Sequence, residues 1–288
     1  MDTQLIQLTL NGIAVGSIIA LAAVGLTLTY GVLRLANFAH GDFMTVGAYL
    51  SFLANSLGIN IWLSILLGMA ATVAFSILGE KIIWSPMRNV RASSTTLIIL
   101  SIGLGIFLRN GVILIWGGSN QNYNVPVMSA LEIGGLRIAY YQLLAIAFAI
   151  LAILGLHLLL QYSKIGKAMR AVADNVDLAR VTGINVEGVA NWTWAIAGAL
   201  TALGGGMYGL ITAVRPNMGW FLILPMFASI ILGGIGNPYG AIVGAFVIGI
   251  AQEVSTYFLP TEYKLGVALV IMALVLLVRP QGIFRGTL

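Results

Sequence analysis

The sequence predicts an all-α fold, a polytopic transmembrane helix bundle of about 8-10 membrane segments with its N-terminus outside and its C-terminus cytoplasmic. Three observations carry that prediction. Of 288 residues, 59% are hydrophobic and 8% charged, whereas soluble domains carry about a quarter charged residues. Apolar runs of membrane-spanning length recur along the chain between short polar, Gly or Pro stretches, and mean hydropathy is +0.99. The basic residues gather in three of the gaps.

Each crossing needs about 20 apolar residues to traverse about 30 Å of hydrocarbon. Runs that meet this need lie at about 7 to 33, 38 to 57, 60 to 80, 93 to 115, 139 to 161, 188 to 213, 219 to 235, 239 to 258 and 263 to 279. The first is expected to be a retained span: Met1 to Gln7 lacks a basic segment, and the apolar stretch overruns a signal core without a cleavage site. Arg34 to Asp42 reads either as an inner turn or as a break within one bent or re-entrant segment. Trp116 to Arg137, rich in Asn, Gly and Ser, is the longest external loop. The 35 glycines suit closely packed membrane helices, where small residues let backbones approach.

Lys81, Arg88 and Arg91; Lys164, Lys167, Arg170 and Arg180; and Arg279 and Arg285 hold nine of the fourteen Lys and Arg. The positive-inside rule makes these segments cytoplasmic, and the two and four runs between them satisfy the parity this demands. A net charge of +5 dispersed among apolar runs points to a lipid bilayer as partner and not to nucleic acid. With no cysteine, disulfides and thiolate metal sites are excluded.

Ser163 to Asn185, SKIGKAMRAVADNVDLARVTGIN, carries the one substantial helical pattern outside the apolar runs. Ile165, Met169, Val172, Val176 and Ala179 recur at three- and four-residue steps, with Lys167, Arg170, Asp174, Asp177 and Arg180 mainly on other faces. That spacing predicts one short amphipathic helix. Arg170 with Asp174 and Asp177 with Arg180 have ion-pair spacing, worth about 0.2–0.5 kcal/mol each when exposed. Gly183 suits a C-cap, and Asn185 can cap the next span. Spacing alone leaves two readings: an interfacial helix whose basic side chains reach the lipid surface, or a docking helix that passes a partner's motion into the membrane.

This run resembles the cytoplasmic loop by which membrane subunits of branched-chain amino acid (LIV-type) ABC transporters dock on their ATPases. LTYGVLRLANFAHGDFMTVGAYL, from Leu28 to Leu50, resembles the N-terminal signature of that family. ILGGIGNPYGAIVGAFVIGIAQE, from Ile231 to Glu253, is similar to its Gly-rich late segment, and LVLLVRPQGIFRG, from Leu274 to Gly286, to its ending. The four stretches fall in the family's order over nearly the whole chain.

The resemblance implies one permease domain over 1-288, with a coupling loop at 163-185, in a bacterial inner (cytoplasmic) membrane. It implies a complex with two cytosolic ABC ATPase subunits, a second homologous permease subunit that is often a different chain, and an external or periplasmic solute-binding protein. ATP and Mg then belong to the ATPases, and this chain binds no cofactor. Import of branched-chain or other neutral amino acids is the implied function; relatives in the broader family carry urea, short amides or sugars. ATPase coupling is placed by the resemblance on Gly166, Arg170, Ala171, Asp174, Ala179, Gly183, Ile184 and Asn185.

Asn37, His40, Gly41 and Asp42, in NFAHGDF, are candidate translocation-pathway residues. Polar groups at membrane depth are costly and face the bundle interior or a water-filled path, and Gly41 allows a chain break that lines such a path. An ordinary inner turn is the alternative. Gly233, Gly234, Gly236 and Gly240, in GGIGNPYG, read as a turn with close helix packing, including GxxxG spacing from Gly240 to Gly244, and secondarily as a gate. The motif lacks the Lys-Ser or Lys-Thr ending of a P-loop. Arg109, His157 and Glu253 lie within about 10 Å of run ends, where snorkelling accounts for them.

No catalytic residue is expected. The Gly41-Asp42 pair lacks the second carboxylate that aspartyl chemistry needs, there is no GxSxG or HExxH, and two scattered histidines make no metal cluster. An ion-coupled secondary transporter is the stronger competitor, because broken helices around a central site are common there; paired inverted halves are not visible in the sequence.

Overall fold

The structure, a computed structural model, describes residues 3–126 and 128–284. Arg285 and Gly286 of the C-terminal motif, and Met1 and Asp2, lie outside the described residues. In chain order the elements are α1 (Thr3–Leu33), α2 (His40–Ser56), α3 (Ile61–Gly79), a π-helical turn (Glu80–Trp84), α4 (Ser85–Asn89) and α5 (Ser94–Trp116). A hairpin of β1 (Leu131–Ile133) and β2 (Leu136–Ile138) precedes α6 (Tyr140–Tyr162), α7 (Lys164–Asp174) and α8 (Val176–Val181). The chain closes with α9 (Val186–Ile211), α10 (Met218–Gly233), α11 (Pro238–Ser255) and α12 (Lys264–Val278).

Each of the nine apolar runs contains a helix. Seven are long and apolar enough to cross a membrane: α1, α3 with its continuation to Asn89, α5, α6, α9, α11, and α12 with the turn before it. The other two, α2 and α10, have only 17 and 16 residues. Local signals set the boundaries. Asn60, Ser93 and Asn237 accept hydrogen bonds from the first free backbone N–H groups of α3, α5 and α11. Gly117, at φ 81, ends α5.

α1 forms the axis of the bundle and is buried almost continuously from Gly16 onward. Its glycines explain how. A Cβ at Gly12 would lie 2.5 Å from the Ile250 Cα of α11, and one at Gly25 would lie 3.0 Å from the Ala197 carbonyl of α9. Backbone-to-backbone packing of this kind holds helices together where lipid removes the hydrophobic drive. By contrast α5, α6 and α12 bury few residues and turn large apolar side chains outward, such as Phe107 at 72% exposure. Such a surface is matched to hydrocarbon.

α2 and α10 are short because both begin inside the bundle. After Leu33 the chain reverses, and by His40 its ring Nε2 lies 2.9 Å from the Ala22 carbonyl. Ala22 stands eleven residues before Leu33, which is about 16 Å back along α1 at roughly 1.5 Å per residue. Leu35, Asn37 and Ala39 are buried on the way. The segment from Arg34 to Asp42 is therefore a re-entrant break and not an exposed turn. The start of α10 meets it: Gly41 and Gly219 touch backbone to backbone, and the Gly219 N–H donates to Thr45 Oγ1 at 3.0 Å.

Candidate coupling and translocation site

The loop from 163 to 185 is built as two helices and not the single one expected. Asn175 leaves helical geometry at φ −152, ψ 107, and its side chain accepts from the Leu178 N–H at 2.9 Å to start α8. An asparagine competing for local backbone bonds is the physical cause of the break. The expected Arg170–Asp174 and Asp177–Arg180 pairs are absent from the ion pairs of the described residues. Arg170 instead donates to the Leu160 carbonyl at the end of α6, one of the acceptors that a helix terminus leaves unused. Solvent competes well with exposed carboxylate pairs of the other kind.

The loop is fixed at both ends. Ser163 Oγ accepts from the Gly166 N–H at 3.0 Å, and Gly166 lies so close to the Leu159 and Leu160 carbonyls that no larger residue fits. Gly183 at φ 87 terminates α8, with the Ile184 N–H donating to the Ala179 carbonyl at 3.0 Å; Asn185 accepts from the Gly188 N–H at 2.9 Å and opens α9. Met169, Val172 and Ala179 are buried, while Asp174 is exposed and Ala171 half-buried. From the break, the Arg34 guanidinium donates to the Ala173 carbonyl of α7 at 3.0 Å.

The four candidate pathway residues come together at the start of α2, where Gly41 packs by its backbone on Gly219 and the side chains of Asn37, His40 and Asp42 are already engaged in the interior. Asn37 Oδ1 accepts from the Ala39 N–H at 3.0 Å, while its Nδ2 is buried without a partner. His40 Nε2 also lies 2.8 Å from Thr201 Oγ1 of α9. Asp42, 2% exposed, accepts from Arg109 Nε at 3.2 Å and Nη2 at 3.3 Å. The Arg109 guanidinium carbon sits 4.5 Å from the ring centre of Trp220, which is exposed on α10. A cation over an indole face is held by the ring quadrupole.

Arg109 thus corrects the snorkelling assignment: a carboxylate inside the bundle holds it. The signal was a charge within an apolar run, whose usual meaning is an interior partner. His157 and Glu253 have partners too, the Tyr239 hydroxyl at 2.7 Å and the Lys264 ammonium at 2.6 Å. Thr201, Thr45 and Trp220 escaped sequence reasoning because only the fold brings them to α2.

The late glycines form the α10–α11 turn. Gly233 and Gly240 pack face to face, Gly244 packs on Ser229, and Gly234 and Gly236 take φ 107 and 88. The Gly236 N–H donates to Thr27 Oγ1 of α1 at 2.9 Å. The chain after α12 closes over this turn, with the Ile283 N–H donating to the Leu232 carbonyl at 2.8 Å. Among the described residues no group of three or more His, Asp or Glu is placed to hold a metal.

A family model described as branched-chain amino acid transport system / permease component matches residues 8–276. The chain belongs to this family. The permease is 34% identical to the high-affinity branched-chain amino acid transport system permease protein LivH of Escherichia coli K12, over 96% of this chain and 94% of that one. With the protein of that description called BraD in Pseudomonas aeruginosa it shares 32% identity, over 96% and 95% of the two chains. LivM of Escherichia coli K12, likewise described as a permease protein of that system, is 24% identical over 91% and 67%. No solved structure matches. The chain is thus a multi-pass membrane permease of the ABC type and not an enzyme.

Proposed function

We propose that this permease forms the transmembrane pathway for import of branched-chain or other neutral amino acids, as one domain over 1–288 in a bacterial inner membrane. The end bearing α7 and α8 faces the cytoplasm and the N-terminus lies outside. The charge distribution supports this orientation: Lys81, Arg88, Arg91 and the basic residues of α7 and α8 lie on one side of the spans. Two ABC ATPases, which hold ATP and Mg, dock on residues 163–185. An external binding protein delivers the solute, and a second permease completes the pathway. That Escherichia coli K12 has two permease proteins of such a system, LivH and LivM, supports a pair of different chains.

The observation that carries this reading is the Arg34–Ala173 hydrogen bond, 3.0 Å long, which ties the loop to the re-entrant break. ATPase closure pushes on α7 and α8. The push passes through Arg34 and the buried face of α7 to residues 34–42, where α2 and α10 meet, and the spans then turn inward. Leucine uptake into proteoliposomes tests the reading: it should need the ATPases, the second permease, binding protein and ATP. Uptake by this chain alone down an ion gradient would show a secondary transporter instead.

A further inference from the structure

A cavity of about 370 Å³ opens where α1 ends, between α4, the α7–α8 loop and the first turn of α9. Four arginines line it, Arg34, Arg88, Arg91 and Arg180, against one carboxylate, Glu187. Arg88 is paired with Glu80, and Arg34 gives one N–H to the Ala173 carbonyl. Arg91 and Arg180 are exposed, with no side-chain partner among the described residues. Guanidinium groups sharing one partly enclosed space repel each other more than they would in bulk water, which favours an anion among them. The N-terminal turn of α9 adds its positive dipole end.

Backbone strain marks the same place. Among the described residues only two that are not glycine have positive φ, Arg34 at 55 and Arg91 at 52, and both line this cavity. Left-handed backbone is unfavourable for a long side chain, and such residues cluster at functional sites.

We infer that the cavity binds phosphate carried by the headgroup of an anionic phospholipid. Guanidinium forks match phosphate oxygens two at a time. Apart from Ser85 and Asn89 the rest of the wall is apolar, Val32, Leu33, Val172 and Val176 among it, and suits the glycerol and upper acyl carbons that a free phosphate lacks. The site lies at the end of spans, where headgroups are, and basic pockets between spans on the cytoplasmic side are the usual seat for them. Because Arg180 is on α8, Arg34 on the break and Arg88 and Arg91 on and after α4, one phosphate would tie the loop to the bundle. The site needs neither the solute nor the ATPases, so its failure leaves the transport reading standing.

Native mass spectrometry of the full chain from nanodiscs of phosphatidylcholine doped with phosphatidylglycerol tests it. The chain should retain phosphatidylglycerol, and Arg91→Gln with Arg180→Gln should weaken retention by about tenfold or more, the loss of one charge-assisted hydrogen bond or better. Lys81→Gln with Arg279→Gln removes the same charge away from the cavity and should retain the lipid. Equal loss in both double variants, or displacement of the lipid by equimolar inorganic phosphate, would overturn the assignment. So would unchanged retention in the arginine variant. A thermal melt matching the parent chain verifies that each variant is folded.

Discussion

Arg109 of α5 and Asp42 of α2 form a two-point ion pair, Nε to Oδ1 at 3.2 Å and Nη2 to Oδ2 at 3.3 Å, at a level where Asp42 is 2% exposed. α5 buries only Ser101, Gly105, Leu108 and Val112, so this pair is a main attachment of the helix. Gly105 makes it possible: a Cβ there would lie 2.6 Å from Asp42 Oδ2.

Breaking the pair from one side strands a charge. Asp42→Leu or Arg109→Leu alone should destabilise the purified permease by about 3–5 kcal/mol, while the double substitution should recover much of the loss. Thermal unfolding in detergent reads the cycle, and strictly additive losses would deny the coupling.

Gly41 and Gly219 join the two short helices with no side chain between them. Gly41→Ala and Gly219→Ala should each cost about 1–3 kcal/mol or more through overpacking, because the neighbour is backbone and cannot rotate away. Gly111→Ala in α5, where a Cβ meets nothing within 4 Å, should be neutral. Folded yield by size-exclusion chromatography separates the three; equal yields would mean that the α2–α10 contact does not hold the break.

How much of this was legible before folding follows from which interactions are local. The helices within the nine apolar runs were readable because hydrocarbon thickness sets a run length, and Gly183 and Asn185 because caps act on neighbouring residues. The pairing of Asp42 with Arg109 spans 67 positions and leaves no local trace beyond a charge in an apolar run. The ion pairs expected within 163–185 failed for a related reason: Arg170 found a carbonyl of the preceding helix, which spacing within the loop does not reveal. Re-entry at Arg34 to Asp42 likewise depends on the His40 contact with Ala22, 18 positions away.

Gly183→Ala isolates the end of the loop. Open space surrounds Gly183, so the substitution acts through its φ of 87, at about 1–2 kcal/mol, and moves only the α8–α9 joint. Added to Arg170→Ala or to Asp174→Ala, it should leave the complex assembled and hydrolysing ATP while uptake per ATP falls severalfold. Unchanged uptake would remove the joint from the coupling path.

Arg34→Gly keeps the left-handed backbone available and deletes the bond to Ala173. Uptake per ATP should fall although the fold is retained. Equal stoichiometry in parent and variant, measured in the same proteoliposomes, would show that force does not travel through this contact.

The chain has no cysteine, so a single one can report contact from a chosen point. Asp177→Cys on exposed α8 and Ser119→Cys in the loop just after α5 provide two such points in the assembled transporter. With a short bifunctional thiol-to-amine reagent, the first should crosslink to a nucleotide-hydrolysing subunit and the second should not. An ATPase captured from Ser119→Cys, or never captured from Asp177→Cys, would contradict the account.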